Sequence, residues 1–126
     1  MNKAPSKKYR KMIAKMVLSL LGRWHLSKED QLELLGLPAS EESILDVNRL
    51  SKAIAESRDV KDRIIHLLKI HEALRILFPR NRELTYGWMT TPNRAFKQMT
   101  PAKAIKAWGF TGLLAVETYL KRSLNH

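Results

Sequence analysis

The chain has 126 residues, 44% of them apolar and none of them cysteine, which allows one compact domain with a core and excludes disulfides and cysteine-based chemistry. Its formal net charge is +11, distributed as +6 over residues 1–15, −3 over residues 16–57 and +8 over residues 58–126. This distribution favours a polyanion or an acidic protein surface as partner. The alternative is a soluble protein that has a basic isoelectric point and no such partner.

A basic arm, residues 1–15, opens the chain, and helical periodicity begins within it and continues to about residue 23. Two neighbouring rows at a spacing of four residues form the predicted apolar face, namely Met12, Met16, Leu20 and Ile13, Val17, Leu21. The arm is either a solvated helix start or a phosphate-binding segment. Its candidate phosphate contacts are Lys3, Lys7, Lys8, Arg10, Lys11 and Lys15.

Residues 16–56 have the outline of a helix-turn-helix. Ser27 is a predicted N-cap followed by acidic residues, Gly36 ends that helix, and Ser40 is predicted to cap the next one after a four-residue turn. The second helix would then begin with Glu41 and Glu42 and include Asp46, and carboxylates there repel phosphates. Further candidate DNA contacts follow a turn or more later, at Arg49 and Lys52.

The longest predicted helix runs from Ser57 to Phe78 and is so apolar that it should be central to the core. Short helical segments are predicted after this helix. Thr91-Pro92 and Thr100-Pro101 each have the form of an N-cap followed by proline at the first helical position. A last helix is predicted from about residue 111 to residue 124. With no alternating strand pattern, the fold class is all-α: a helix-turn-helix-like N-terminal half, a long central helix and a small helical C-terminal domain.

The sequence contains no group of residues whose spacing is typical of a catalytic site. His66 and His71 diverge by about 140° on a helix, which disfavours a shared metal, and Asp62 with His66 has the spacing of a surface pair. We therefore predict a non-enzyme with no metal and no cofactor. No apolar run approaches the roughly 20 residues of a membrane span, and no secretory signal follows the basic start, so a cytoplasmic protein is expected.

The C-terminal segment contains the patterns W-M-x-x-P-N-x-x-F-x-x-x-T-P-x-x-x-I and G-L-x-x-V-x-x-Y-L, which begin at Trp88 and Gly112. In these patterns the segment resembles the toxin-binding domain of Xre/MbcA/ParS-type antitoxins. The preceding helix and the helix-turn-helix-like segment also resemble this family, so that the resemblance spans about residues 16–124. One departure is Lys97-Gln98, which stands where the family usually has a glycine before the Thr-Pro step, so this turn is expected to differ.

The resemblance implies the antitoxin of a type II pair that binds and neutralises a RES-domain toxin, which consumes NAD. It also implies a homo-oligomer or a hetero-oligomer with the toxin, and weak operator DNA binding for autoregulation. The implied domains are a basic arm (1–15), a helix-turn-helix-like region (16–56), and the long helix with the toxin-binding domain (57–126). The candidate partner-binding residues are Trp88, Pro92, Asn93, Arg94, Phe96, Lys97, Lys103, Lys106 and Gly112.

Two questions stay open at this stage. Trp88 and Phe96 either pack the core or anchor the partner, because large aromatics serve both purposes. The function itself has two alternatives: a stand-alone helix-turn-helix DNA-binding regulator without a toxin, and an interaction module that has lost both roles.

Overall fold

The computed structural model describes residues 5–125, and within them the chain forms α-helices, short 3₁₀ helices and no strand. The prediction of an all-α fold is confirmed. Lys3, one of the predicted phosphate contacts, lies outside the described residues. The α-helices are α1 (Lys7–Arg23), α2 (Lys28–Leu34), α3 (Val47–Glu56), α4 (Arg58–Leu77), α5 (Arg82–Gly87), α6 (Pro101–Trp108) and α7 (Phe110–Leu124). The 3₁₀ helices are Glu42–Ile44, Trp88–Thr90 and Arg94–Phe96.

Helix α4 is the centre of the molecule, as its apolar pattern predicted. It contacts α1, α3, α5 and α7. Ser57 caps its start, where the hydroxyl accepts a hydrogen bond from the Val60 amide at 3.2 Å, and the helix ends just before Pro79. Six of its side chains are buried in the core: Val60, Ile64, Leu67, Ile70, Ala73 and Leu74.

Helix α1 confirms only part of its predicted apolar face. Ile13, Val17 and Leu21 are buried, but Met12 is 51% exposed and Met16 is 49% exposed. Leu20, in the same row as the two methionines, is also buried. The exposed part of the row is therefore confined to Met12 and Met16, which border a groove between α1 and α4.

The helix predicted to begin at Ser40 begins instead at Val47, so this prediction was wrong. Asp46 is the N-cap, and its carboxylate accepts a hydrogen bond from the Arg49 amide at 3.1 Å. Residues 35–46 form a long connection in place of the four-residue turn. Glu41 and Glu42 consequently precede α3, and the first turn of α3 contains Arg49 and no acidic residue.

The N-terminal and C-terminal halves share one core. Helix α2 packs on α6, α1 packs on α3 and α4, and α4 packs on α7. Buried side chains from both halves form one continuous cluster, which includes Trp24, Leu34, Ile64, Ile105 and Val116. Within the described part of the chain, no helix has both the length and the hydropathy that crossing a bilayer requires.

Candidate partner-binding surface

Three aromatic rings from separate elements meet at the C-terminal end of the fold. Trp88 stacks on Tyr119 with ring centroids 6.0 Å apart, and Phe96 meets the two rings edge-on at 6.3 and 5.5 Å. Phe96 is 3% exposed, whereas Tyr119 is 38% exposed and Trp88 is half-buried. Phe96 is therefore the buried base of the cluster, and the other two rings reach the surface.

A shallow groove of about 560 Å³ lies beside this cluster, along the outer side of α7, and is bordered by the Arg94–Phe96 3₁₀ helix and by Trp108 at the end of α6. Phe96, Trp108, Leu114 and Tyr119 supply apolar surface to it, and Arg122 lies at its edge. Leu114 is 40% exposed and lies on the same side of α7 as the exposed part of Tyr119. An apolar groove with charged residues at its rim is the form expected of a protein contact surface.

The Thr100-Pro101 step starts a helix as predicted. Thr100 is the N-cap of α6, its hydroxyl accepts a hydrogen bond from the Lys103 amide at 3.1 Å, and Pro101 occupies the first helical position. This cap fixes the start of α6, whose last residue, Trp108, lines the groove.

The Thr91-Pro92 step does not start a helix, so that prediction was wrong. Thr91 follows the Trp88–Thr90 3₁₀ helix, and its hydroxyl donates to the Gly87 carbonyl at 2.8 Å. The next 3₁₀ helix is capped by Asn93, whose side chain accepts from the Ala95 amide at 2.9 Å. Asparagine two residues after threonine is the stronger local cap here.

The turn that departs from the family pattern is conformationally strained. Lys97 and Gln98 both have left-handed backbones, with φ of 55° and 68°. The loop is closed by backbone hydrogen bonds from the Asn93 amide to the Met99 carbonyl and from the Gln98 amide to the Asn93 carbonyl. A left-handed residue with a side chain costs roughly 1–2 kcal/mol, which glycine avoids.

We therefore expect Gln98→Gly to raise the free energy of unfolding by about 0.5–1 kcal/mol, since the relief of strain exceeds the extra chain entropy of glycine. Urea denaturation, monitored by circular dichroism, measures this change in the free energy of unfolding. Gln98→Ala is the control, because it removes the same side chain but keeps a Cβ, and it should leave stability nearly unchanged. A glycine variant no more stable than the alanine variant would show that the turn is unstrained.

The predicted partner-binding residues occupy different environments. Pro92, Arg94, Lys97 and Lys103 are exposed, and Asn93 is half-buried. Lys97 lies beside the groove, with its ammonium 5.9 Å from the centre of the Trp108 ring.

Two of the predicted partner-binding residues hold helices together. The Lys106 ammonium lies 2.6 Å from Asp30 Oδ1 and 3.6 Å from Glu33 Oε2, which joins α6 to α2. The hydrogen bond to Asp30 raises the pKa of Lys106. Gly112 is buried where α7 crosses α6, and a Cβ at this position would lie 2.5 Å from the Ala104 carbonyl oxygen. A partner could not reach Gly112 unless these helices moved.

The predicted DNA-binding residues lie on α1 and α3, which pack against each other. Arg10 is half-buried and donates a hydrogen bond to the Pro5 carbonyl, and Arg49 donates one to the Ser43 carbonyl at 3.4 Å. Lys52 is 4.0 Å from Glu56. Exposed cations complete the set at Lys7, Lys8 and Lys11. Residues 7–15 of the predicted arm are part of α1.

Glu117 is a buried ionisable residue that the sequence analysis missed. It is 5% exposed, it contacts the His66 ring, and it accepts from Lys121 at 2.8 Å. Burial alone would raise the pKa of Glu117, but the hydrogen bonds from Lys121 and His66 outweigh it and lower the pKa. Asp62, the predicted partner of His66, instead lies 4.0 Å from Arg58.

His71 lies against Tyr86, with its Nε2 atom 3.2 Å from the hydroxyl. Burial, together with the charges of Arg75 and Arg23, lowers the pKa of His71 below its ordinary value of 6.5. A lowered folded-state pKa means that the unfolded chain binds the proton more readily. The stability from neutral His71 is therefore present above pH 6.5 and is lost as the pH falls through the folded-state value.

We expect the free energy of unfolding to fall between about pH 7 and about pH 5, and His71→Gln to reduce this fall. Urea denaturation at each pH gives the difference between the two proteins. An equal fall in both would mean that His71 does not contribute to the pH dependence of stability.

Among residues 5–125, no three His, Asp or Glu side chains are placed to hold a metal ion. The site consists instead of half-exposed aromatic side chains, an apolar groove and exposed cations on a helical scaffold. These are the properties of a protein-binding module.

Comparison with known families identifies the kind of module. Residues 73–123 match the family described as the antitoxin Xre/MbcA/ParS C-terminal toxin-binding domain. This match confirms the resemblance over that segment, which contains the end of α4, the aromatic cluster and the groove. No match was found among curated proteins or among solved structures.

Proposed function

We propose that this protein is the antitoxin of a type II toxin–antitoxin pair and that it neutralises a RES-domain, NAD-consuming toxin by binding it. The match of residues 73–123 to a toxin-binding domain carries the proposal. The protein acts by occupying the toxin surface in the cytoplasm and performs no reaction itself.

The groove along the outer side of α7 is the proposed contact with the toxin. Leu114 and Tyr119 keep part of their apolar surface exposed there, and half-exposed aromatics are common anchors of protein interfaces. Arg94, Lys97 and Arg122 are exposed nearby and favour an acidic rim on the toxin. The buried Phe96 and Gly112 shape this surface from beneath.

Substitution of Leu114 tests the proposal. Leu114→Glu places a carboxylate in the groove and should abolish both growth rescue upon co-expression with the toxin and co-elution of the two proteins. Met12→Glu is the matched control, since Met12 is a similarly exposed apolar residue on α1. Both variants should keep a helical circular dichroism spectrum. Rescue by Leu114→Glu equal to that by Met12→Glu would exclude this groove as the contact.

One observation keeps DNA-binding regulation as a second candidate. The first turn of α3 contains exposed Arg49, and Glu41 and Glu42 precede the helix. Of the three carboxylates that argued against base contact, only that of Asp46 lies at the start of α3, where it caps the helix. Titration of the promoter fragment against a scrambled duplex tests this role. A true operator binder should prefer the promoter by about a thousandfold or more, and equal affinities would exclude it.

A further inference from the structure

Four arginines converge where α1, α4 and α5 meet, and none of them forms an ion pair with any residue from 5 to 125. Arg75, Arg80 and Arg82 line a cleft of about 700 Å³ between the end of α4 and α5. Arg23, at the end of α1, lines an adjoining cleft together with Arg82. The ion pairs of the described chain occupy other residues, such as Arg58 and Arg63.

Tyr86 holds two of these arginines close together. The guanidinium carbons of Arg23 and Arg82 lie 5.6 and 5.2 Å from the centre of its ring. Arg23 also donates a hydrogen bond to the Tyr86 hydroxyl at 3.2 Å. Like charges held near one ring repel each other, and an anion bound between them would remove that repulsion.

Exposed basic residues extend from this cluster of arginines along α1. Lys11, Lys15, Ser19 and Arg23 are exposed at a spacing of four residues on α1. Lys15 and Arg23 line one groove, which neighbours another that contains Lys69 and Arg75. From Lys11 to Arg23 the helix rises about 18 Å. We define the arginine strip by its basic residues, which are Lys11, Lys15, Arg23, Lys69, Arg75, Arg80 and Arg82.

The line of charge fits a linear polyanion better than an acidic protein. The carboxylates that line these grooves are those of Glu72 and Glu83, so cations predominate along the strip. Met12, Met16 and Ile76 also line these grooves and are exposed. The seven basic residues of the strip nevertheless outnumber the two carboxylates, which favours an anionic partner over an apolar one. Guanidinium groups bind phosphate in a bidentate fashion, and duplex DNA carries one charge per roughly 1.7 Å of axis.

We propose that the arginine strip binds the phosphate backbone of duplex DNA without reading its sequence. The site is distinct from α3, because no residue of α3 lines these grooves. It is also distinct from the groove proposed for the toxin, and it does not depend on the protein being an antitoxin.

The test is the salt dependence of binding to a scrambled duplex, measured by fluorescence anisotropy between about 50 and about 200 mM salt. The triple variant Arg23→Gln/Arg75→Gln/Arg82→Gln should lower the slope of log K against log salt by about three, one for each lost phosphate contact. The matched control Arg58→Gln/Arg94→Gln/Arg122→Gln loses the same net charge at sites outside the strip and should lower the slope by less than one.

Two further measurements complete the test. A triple Arg→Lys variant at positions 23, 75 and 82 keeps the charges and should keep most of the slope. A lower slope in the Gln variant can then be assigned to the lost charges and not to a change in folding. The Gln variant of the strip should still rescue growth against the toxin, so the two proposals can fail separately. Equal slopes for the strip and control variants, no duplex binding by the wild type, or equally strong strip-dependent binding of polyglutamate would each overturn the proposal.

Discussion

Gly112→Ala is expected to lower the free energy of unfolding by about 2 kcal/mol, because overpacking a close helix contact typically costs about 1–3 kcal/mol. The added methyl would lie 2.5 Å from the Ala104 carbonyl oxygen and 3.0 Å from the Ile105 Cα atom. Both are backbone atoms, so no side-chain rotation can relieve the overlap. Helices α6 and α7 must move apart, which would also change the groove that Trp108 and the outer side of α7 line. Urea denaturation measures the loss.

Gly22→Ala is the matched control with the opposite sign. Gly22 lies near the end of α1, is exposed, and has no heavy atom within 4 Å of the place where a Cβ would be. Alanine there should raise stability by up to about 0.5–1 kcal/mol, since glycine in a helix loses more chain entropy on folding. If Gly112→Ala were as stable as the wild type, the α6–α7 contact would have to be looser than the structure shows.

Phe96→Ala is expected to have the largest effect, a loss of about 3–4 kcal/mol, which is typical of removing a buried aromatic side chain. Phe96 is 3% exposed and supports both Trp88 and Tyr119. The cavity would also remove the base of the proposed toxin surface, so toxin binding should weaken together with the melting temperature.

Tyr119→Ala separates the core contribution from the interface contribution. Tyr119 belongs to the same aromatic cluster but is 38% exposed, so its removal should cost less stability, about 1–2 kcal/mol, and should weaken toxin binding at least as much. If Phe96→Ala and Tyr119→Ala lowered the melting temperature equally, the exposed fraction of the ring would not distinguish a core role from an interface role. Phe96→Ala with an unchanged melt would assign Phe96 to the interface alone.

Helices and helix caps that depend on residues close together in the sequence could be predicted from the sequence alone. The periodicity of α4, the Thr100-Pro101 start of α6 and the aromatic pattern from Trp88 to Phe96 were sufficient to predict an all-α fold and a family resemblance over about residues 16–124. The family match confirms that resemblance over residues 73–123. Local competition between caps produced the errors. Ser40 and Asp46 are both good N-caps, and the chain uses Asp46; Thr91 and Asn93 compete in the same way, and Asn93 caps the next 3₁₀ helix.

Contacts between distant residues could not be predicted in this way. Periodicity shows that α1 is amphipathic, but only its packing on α3 and α4 decides that Ile13 is buried and Met12 is half-exposed. Lys106 with Asp30 and His66 with Glu117 are pairs of residues far apart in the chain.

The charge totals of the sequence indicate an anionic partner, and its C-terminal pattern indicates a toxin-binding domain. The tertiary structure alone decides where the cations gather. The arginine strip draws on α1, α4, α5 and the connection between α4 and α5, which meet only because the apolar stripe of α4 is buried against α1 and α7. Side-chain spacing along one helix is a local property, whereas the distance between helices depends on how the whole core packs.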